Sequence, residues 1–406
     1  MSLEFTNDSP GLTDVPGFRV GAAGCDIRNK STDRLDLTLV VADRPCAAAG
    51  VFTTNDVKAA PVRFCQQVLA VSADRIRGIV GNSGNANACT AAQGDVDAAA
   101  MAKLSAVAVG TPDDAFLVCS TGRIGELLPM AKVAAGIKAS AACLSRDAAE
   151  GVRSANAILT SDTRPKSCTA RFTWEGKTVT VAGIAKGAGM IEPNMATMLA
   201  FVCTDAAAAP AELKAALKAA ADQSFNCVSV DGDMSTNDTV LLLASGVSVG
   251  ASAPAALRAL FQEALDKVCF ALAEKIVGDG EKITKVVAVE IAGARTRADA
   301  EKIARAIGNS LLVKSSWFGE DPNWGRLADA AGYARTGLDE SKLDIFYDDV
   351  PAVLGGQPLP ANKPRWKQVV QAARFAVRLD LHLGDAKFRL LAADLTDGYV
   401  NYNKSE

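Results

Sequence analysis

Histidine is nearly absent: one in 406 residues. A Ser-His-Asp or Cys-His catalyst would have to use that imidazole, and a zinc site could draw no more than one histidine ligand. The residue, His382, follows Val377, Leu379 and Leu381 and precedes Leu383, apolar residues that alternate with polar ones as in a half-buried strand. That pattern puts His382 on the solvent face, so an acyl-transfer enzyme built on this chain would find its base elsewhere. No Cys-x-x-Cys pair occurs among the ten scattered cysteines, which read as small buried hydrophobes in a reducing compartment, with no metal and no disulfide. A basic block is missing too: 43 Lys and Arg against 46 Asp and Glu leave a net charge of -3, without the electrostatic footprint of a nucleic-acid binder. No apolar run reaches the roughly 18 to 20 residues of a membrane span, and the first residues lack the basic and apolar regions of a signal peptide. These absences lead us to expect a cytoplasmic protein whose partners are small molecules.

What is present is enough chain, 49% hydrophobic and 22% charged, for one large or two medium globular domains, and composition marks no cut between them. Helix signals fall at Asp95 to Val109, from Pro210 through Ala221, and from Pro254 onward, where Leu257, Phe261, Leu265, Val268 and Leu272 share a face. Strands are expected at Val286 to Ile291, Ser310 to Val313, Val377 to Leu383 and Lys387 to Ala392, and Glu175-Gly176 joins two β-type runs as a hairpin. Asp205 to Pro210 and Gly355 to Pro364 read as loops. Interleaved helices and antiparallel strands favour a layered α/β or α+β architecture.

Two segments could carry chemistry. In Lys186 to Phe201, glycines, a proline and an asparagine make an irregular loop, and Thr197 opens an apolar run that reads as a buried strand. Read alone, Thr197 is most simply a β-branched residue starting that strand. If the bond before it were cut, however, Thr197 would own both a hydroxyl nucleophile and a free α-amine, whose ordinary pKa of roughly 7.7 to 8.0 suits a base near neutrality. Such a catalyst needs no histidine. In Ala115 to Glu126 an apolar strand runs into Ser120-Thr121-Gly122 and then towards a helix; a hydroxyl beside a glycine N-H can line an oxyanion hole, although such turns use the same residues for capping.

With both segments in view, the chain resembles the ornithine acetyltransferase family over nearly its whole length. Six blocks in family order carry the resemblance: Ala47 to Asn55 with Val57 to Val62, Gly81 to Thr90, Ser120-Thr121-Gly122, Lys186 to Phe201, Val230 to Thr239, and Asp321 to Arg326. The resemblance implies a self-cleaving, N-terminal-nucleophile fold with stacked mixed β-sheets flanked by helices, similar to the ornithine acetyltransferase and aminopeptidase folds. It further implies cleavage between Ala196 and Thr197, giving an α chain of residues 1-196 and a β chain of 197-406 that stay associated, as a dimer or tetramer of αβ units. Thr197 would take an acetyl group from N-acetylornithine and pass it to glutamate in a ping-pong exchange. No cofactor is implied, and acetyl-CoA as a second acetyl donor is left open.

Thr121 and Gly122 match the family's oxyanion-hole positions, while Thr160, Lys186, Thr197, Glu281 and Asn403 match its substrate-binding positions. Two departures stand out. Lys282-Ile283 follows Glu281 where the family usually has small residues, and Lys404-Ser405-Glu406 follows Asn403 where it usually ends in serine or threonine, so the last substrate contact is lost or passes to Ser405. Two other readings fit the residues: a self-processing amidohydrolase or aminopeptidase, in which water takes the acyl group, and a non-catalytic carbohydrate- or metabolite-binding protein.

Overall fold

The computed structural model describes residues 3-30, 33-113, 115-192, 198-249 and 254-404. Along the chain the strands are β1 (Glu4–Asn7), β2 (Phe18–Ala23), β3 (Leu37–Phe52), β4 (Ile76–Asn85), β5 (Phe116–Arg123), β6 (Lys166–Trp174), β7 (Lys177–Lys186) and β8 (Leu199–Ala206). They continue as β9 (Val228–Ser229), β10 (Thr239–Val249), β11 (Val286–Ala294), β12 (Asp344–Tyr347), β13 (Val350–Leu354), β14 (Gln357–Pro358), β15 (Arg374–Asp380) and β16 (Ala386–Ala393). The α-helices are α1 (Ala60–Ser72), α2 (Ala91–Val109), α3 (Met130–Ala142), α4 (Ala148–Ala157), α5 (Pro210–Gln223) and α6 (Ala255–Val277), then α7 (Arg297–Gly308), α8 (Leu311–Phe318), α9 (Trp324–Tyr333), α10 (Lys363–Val370) and α11 (Asp397–Tyr402). Among the described residues no helix is long and apolar enough to cross a membrane.

Two compact units are present, and neither is a continuous stretch: one takes residues 1-188, 193-226 and 234-276, the other 189-192, 227-233 and 277-406. No composition shift could have marked such a division, because each unit is assembled by folding. It also differs from the expected α and β chains, since the first unit draws on both.

The first unit is built on a nine-stranded mixed sheet ordered β1-β6-β7-β8-β10-β3-β4-β5, with β2 also on β3. Its hinge is β3. Residues 37-42 pair with β2 and β4, residues 47-52 pair with β10, and the exposed Asp43-Arg44-Pro45 between them breaks the ladder. Strand alternation then sends Val40, Leu117 and Cys119 into one core with Ile184, Phe201, Cys203 and Leu241, while Leu39, Val41, Phe116 and Val118 meet Met101 of α2 and Ile137 of α3. The two halves of the sheet thus stack face to face, so closely that a Cβ on Gly81 of β4 would lie 3.1 Å from the Phe201 ring of β8. On the far face, Leu272 of α6 approaches Gly183 of β7 within 2.8 Å of where a Cβ would stand. The layering is helix, sheet, sheet, helix, as expected for the α/β class.

In the second unit a seven-stranded sheet ordered β14-β13-β12-β15-β11-β16-β9 packs Val287, Val289, Leu379 and Leu390 against Ile303 and Ile307 of α7, Trp317 of α8 and Leu327 of α9. Local signals were read correctly at the 174-177 hairpin, where Glu175 and Gly176 both take positive φ, and at α2, α5 and α6. Ser310 to Val313 is not a strand. The Ser310 hydroxyl accepts from the Val313 N-H and caps α8, a signal hidden by the short apolar run that follows it. The expected loops are also shorter than read: β8 runs to Ala206, and β14 and α10 occupy part of 355-364.

His382 lies just beyond β15, at φ 49°, and is exposed as expected. Its Nε2 sits 2.8 Å from Asp344 Oδ2, a hydrogen bond that, with the nearby Asp380 charge, raises the imidazole pKa. A raised folded-state pKa means that any stabilisation from this pair is present below the unfolded value of roughly 6.5 and fades as pH rises through the folded one. Because the ring is engaged at the surface of the second unit, His382→Gln is expected to leave acyl-transfer turnover near the wild-type rate. Steady-state kinetics on the folded variant check this, and abolished turnover would return catalysis to the imidazole.

Candidate active site

A hydroxyl or charge with no water around it must find partners inside the protein, and one carboxylate in the first unit supplies most of them. The Asp162 side chain is fully buried. Its Oδ1 accepts from the Lys166 ammonium and the Gly187 N-H, both at 2.7 Å, and its Oδ2 accepts from the Thr160 N-H at 3.0 Å. The Lys186 ammonium, also buried, stands 3.9 Å from the same oxygen and donates to the Thr121 hydroxyl at 3.4 Å. Burial alone would raise the Asp162 pKa, but the Lys186 and Lys166 charges with the hydrogen bonds overcome it and hold this carboxyl well below the usual range.

Thr121 and Gly122 are placed by β5 and not by a turn before a helix: the strand continues to Arg123, and α3 begins at Met130. The residues that looked like a cap are ladder partners of β4, with Ser83 opposite Thr121 and Gly84 opposite Gly122. Gly122 has φ 133°, and a Cβ there would fall 2.3 Å from the Gly84 carbonyl carbon, so glycine is required on both counts. Asn237 anchors the same region, its amide donating to the carbonyls of Ala86 at 2.6 Å and Ser120 at 2.9 Å.

Ala196 and Thr197, the expected cleavage site and nucleophile, lie outside the described residues, as does Ser405. The strand that follows them is well defined. Leu199, two residues after Thr197, pairs with Lys186 of β7 on one side and Thr239 of β10 on the other. Lys186 is therefore held in register with the start of β8. Beside it, Met198 donates its N-H to Asp238 Oδ1 at 3.0 Å.

In the second unit Asn403 donates to Glu281 Oε2 at 3.2 Å, and a Cβ on Gly189 would stand 2.4 Å from the Glu281 carboxylate, so the chain passes tightly against it. The Asp231 carboxylate accepts from the Met190 and Ile191 N-H groups at 2.6 and 2.7 Å, and the Tyr399 hydroxyl lies 3.3 Å from it. The bulk at position 282 is directed to α11: the Lys282 ammonium lies 5.3 Å from the Tyr402 ring centre, and its carbonyl accepts from Thr396 Oγ1. The first unit thus gathers Thr121, Thr160 and Lys186, and the second gathers Glu281 and Asn403. Asp162, Lys166, Asn237 and Asp238 were missed as functional candidates. Asp162 and Lys166 had no signal beyond their place beside the hydroxyl-rich stretch around Thr160, whereas Asn237 and Asp238 lie inside the Val230 to Thr239 block that carries the resemblance.

The model of the ArgJ family matches residues 19-405. Similar curated proteins include the arginine biosynthesis bifunctional protein ArgJ of Symbiobacterium thermophilum, 44% identical over 97% of this chain and 98% of the relative. The protein of the same name from Geobacter sulfurreducens is 44% identical over 96% and 98%. Among solved structures, an ornithine acetyltransferase of Mycobacterium tuberculosis complexed with ornithine is 37% identical, covering 47% of this chain and 98% of that one at a TM-score of 0.43.

The Asp162 cluster yields a direct test. Its depressed pKa means that its stabilisation is present above the unfolded carboxyl value of roughly 3.9 and is lost as pH falls through the folded one. Asp162→Asn leaves two buried ammonium groups without their shared counter-charge, so denaturant unfolding should show a loss of about 3 to 5 kcal/mol. A change within about 0.5 kcal/mol would show the cluster to be a surface-like pair.

Proposed function

The chain belongs to the ArgJ family, and on that premise we propose that it serves arginine biosynthesis as an ornithine acetyltransferase, moving acetyl from N-acetylornithine to glutamate through an ester on Thr197. The precursor first cleaves itself between Ala196 and Thr197. The Thr197 hydroxyl attacks the Ala196 carbonyl, the acyl group shifts from nitrogen to oxygen and so frees the amine that later serves as base, and water then opens the ester to restore the hydroxyl. The observation that carries this reading is the register of Lys186 with Leu199, together with the Lys186 to Thr121 contact: both tie the proposed oxyanion donor and anion holder to the strand that begins beside Thr197.

In this reading the Thr121 hydroxyl and Gly122 N-H meet the oxyanion. Lys186 and Thr160 hold a substrate carboxylate, which two ammonium groups around one carboxylate favour electrostatically. Glu281 and Asn403 of the second unit are read as positions that take an amino group. The 1-196 and 197-406 chains stay together because β8, from the second, is hydrogen-bonded to β7, from the first, within a buried sheet. No cofactor is needed, as nucleophile, base and oxyanion donors are all protein groups. We place the enzyme in the cytoplasm, as a dimer or tetramer of αβ units.

Denaturing electrophoresis and intact mass should show two fragments in place of one 42.0 kDa chain, and Thr197→Ala should remain whole and inactive. A full-length chain that nevertheless turns over would overturn the proposal. Ornithine release from N-acetylornithine should require glutamate; release to water alone would make the protein a hydrolase, and acetyl-CoA with glutamate tests the second donor. In Thr121→Ala, kcat should fall about 100-fold or more with little change in KM, since an oxyanion donor acts in the transition state. Unaltered kcat with a raised KM would make Thr121 a binding residue.

A further inference from the structure

In the second unit, helix α11 is six residues long and buries none of them, so it has neither the length nor the apolar face to fix its own position. Polar contacts do that instead. At its start Thr396 Oγ1 accepts from the Tyr399 N-H at 2.9 Å and donates to the Lys282 carbonyl at 2.7 Å, one residue from Glu281. The Tyr399 hydroxyl donates to Asp231 Oδ2 at 3.3 Å. Burial, with the Asp231 and Glu281 charges, pushes the Tyr399 pKa up, so the phenol keeps the proton that it donates.

Asp231 is a firm anchor for that hydroxyl. Its carboxylate also takes the N-H groups of Met190 at 2.6 Å, Ile191 at 2.7 Å and Asp233 at 3.2 Å. The backbone just before it is fixed independently: the buried Lys314 ammonium donates to the Val230 carbonyl at 2.7 Å, and the Val230 N-H reaches the Ile191 carbonyl at 2.7 Å.

What the anchor governs lies one turn further along. The Tyr399 carbonyl accepts from Asn403 twice, from its N-H at 3.2 Å and from its side-chain amide at 3.0 Å. The other amide hydrogen goes to Glu281 Oε2 at 3.2 Å. Both partners are pure acceptors, so the amide nitrogen must face them and the amide oxygen must face away. With both hydrogens spent, Asn403 and Glu281 offer a ligand only acceptor oxygens, Oδ1 of the amide and Oε1 of the carboxylate, and among the described residues nothing donates to either. Such a pair suits a group that only donates, as an ammonium does. We propose that Asp231, through the Tyr399 hydroxyl, positions Asn403 beside Glu281 and so sets the selectivity for acetyl donors that carry a free ammonium group. This rests on the reading of Glu281 and Asn403 as positions that take an amino group, and adds to it the residues that hold them in place.

The test compares kcat/KM for N-acetylornithine with that for N-acetylnorvaline, the same donor without its ammonium group, at saturating glutamate. Tyr399→Phe keeps the ring and removes only the hydroxyl. Its preference for N-acetylornithine should fall about tenfold from the wild-type ratio, through a raised KM with kcat held within about twofold. An unaltered ratio would overturn the proposal, and so would an equal loss for both donors, which is what a loosened second unit would give. Asp231→Ala should lower the ratio at least as far, and adding Tyr399→Phe to it should cost little more, because the two residues act through one contact; losses that simply multiply overturn the coupling. Should Asp231→Ala fail to fold, Tyr399→Phe decides alone. Glu281→Ala separates the two readings. If it leaves the ratio unchanged, the amino-group position fails and the proposal with it; if it collapses the ratio and Tyr399→Phe does not, only the positioning role fails.

Discussion

The first-unit site depends on one buried carboxylate. Asp162 accepts from Lys166, Gly187 and Thr160 and stands beside Lys186, tying the end of β7, the start of β6 and the loop between α4 and β6 to a single point. A buried ion group of this kind adds little to stability compared with an apolar replacement, but it tolerates no missing member, because each uncompensated charge would sit in low dielectric. Its value lies in geometry. It holds Lys186 in place, and Lys186 in turn meets the Thr121 hydroxyl.

Rigid backbone completes that geometry. The bend in β3 folds one sheet into two stacked layers, so β5 with Thr121 belongs to one layer and β7 with Lys186 to the other. The 3.4 Å contact between them is a contact across the stack. At Gly122 the ladder approaches too closely for a side chain, at Gly81 and Gly183 a Cβ would crowd the Phe201 ring and the Leu272 side chain, and Asn237 joins β10 to the end of β5. A site on strands locked in this way is suited to electrostatic stabilisation, which works only when the donors are already in position.

In the proposed mechanism the base is the terminal amine of Thr197, so the chain would need nothing from its one exposed histidine. Two buried aspartates of the first unit are set differently by their surroundings. Asp162 is held ionised by two ammonium groups, whereas burial drives Asp238 towards its neutral form against the Met198 and Ser235 backbone N-H groups and the Lys186 charge.

What could be read from the sequence was whatever local physics decides. The Glu175-Gly176 hairpin, the one-sided α6 and the buried β8 follow from turn chemistry and periodicity, and the hydroxyl-glycine pair at 121 and 122 marked itself by composition; His382 is exposed as read, but at a left-handed residue beyond the end of β15 and not on a strand through Leu383. Ser310 was misread because three apolar residues after a serine suit a strand as well as a capped helix, and only the Val313 N-H reaching its hydroxyl chooses between them. The turn expected at Thr121 proved to be ladder, since pairing with β4 outweighs the local preference of Ser, Thr and Gly. Asp162, Lys166 and Asp238 were illegible for a deeper reason: a charged residue is by default a surface residue, and nothing in its neighbours along the chain says that it will be buried. Sequence alone determined the strand and helix periods and the candidate chemistry. Tertiary structure alone decided which charges lose their water, because burial is set by elements far apart in the chain, and that loss of water is what shifts the two carboxyl groups in opposite directions.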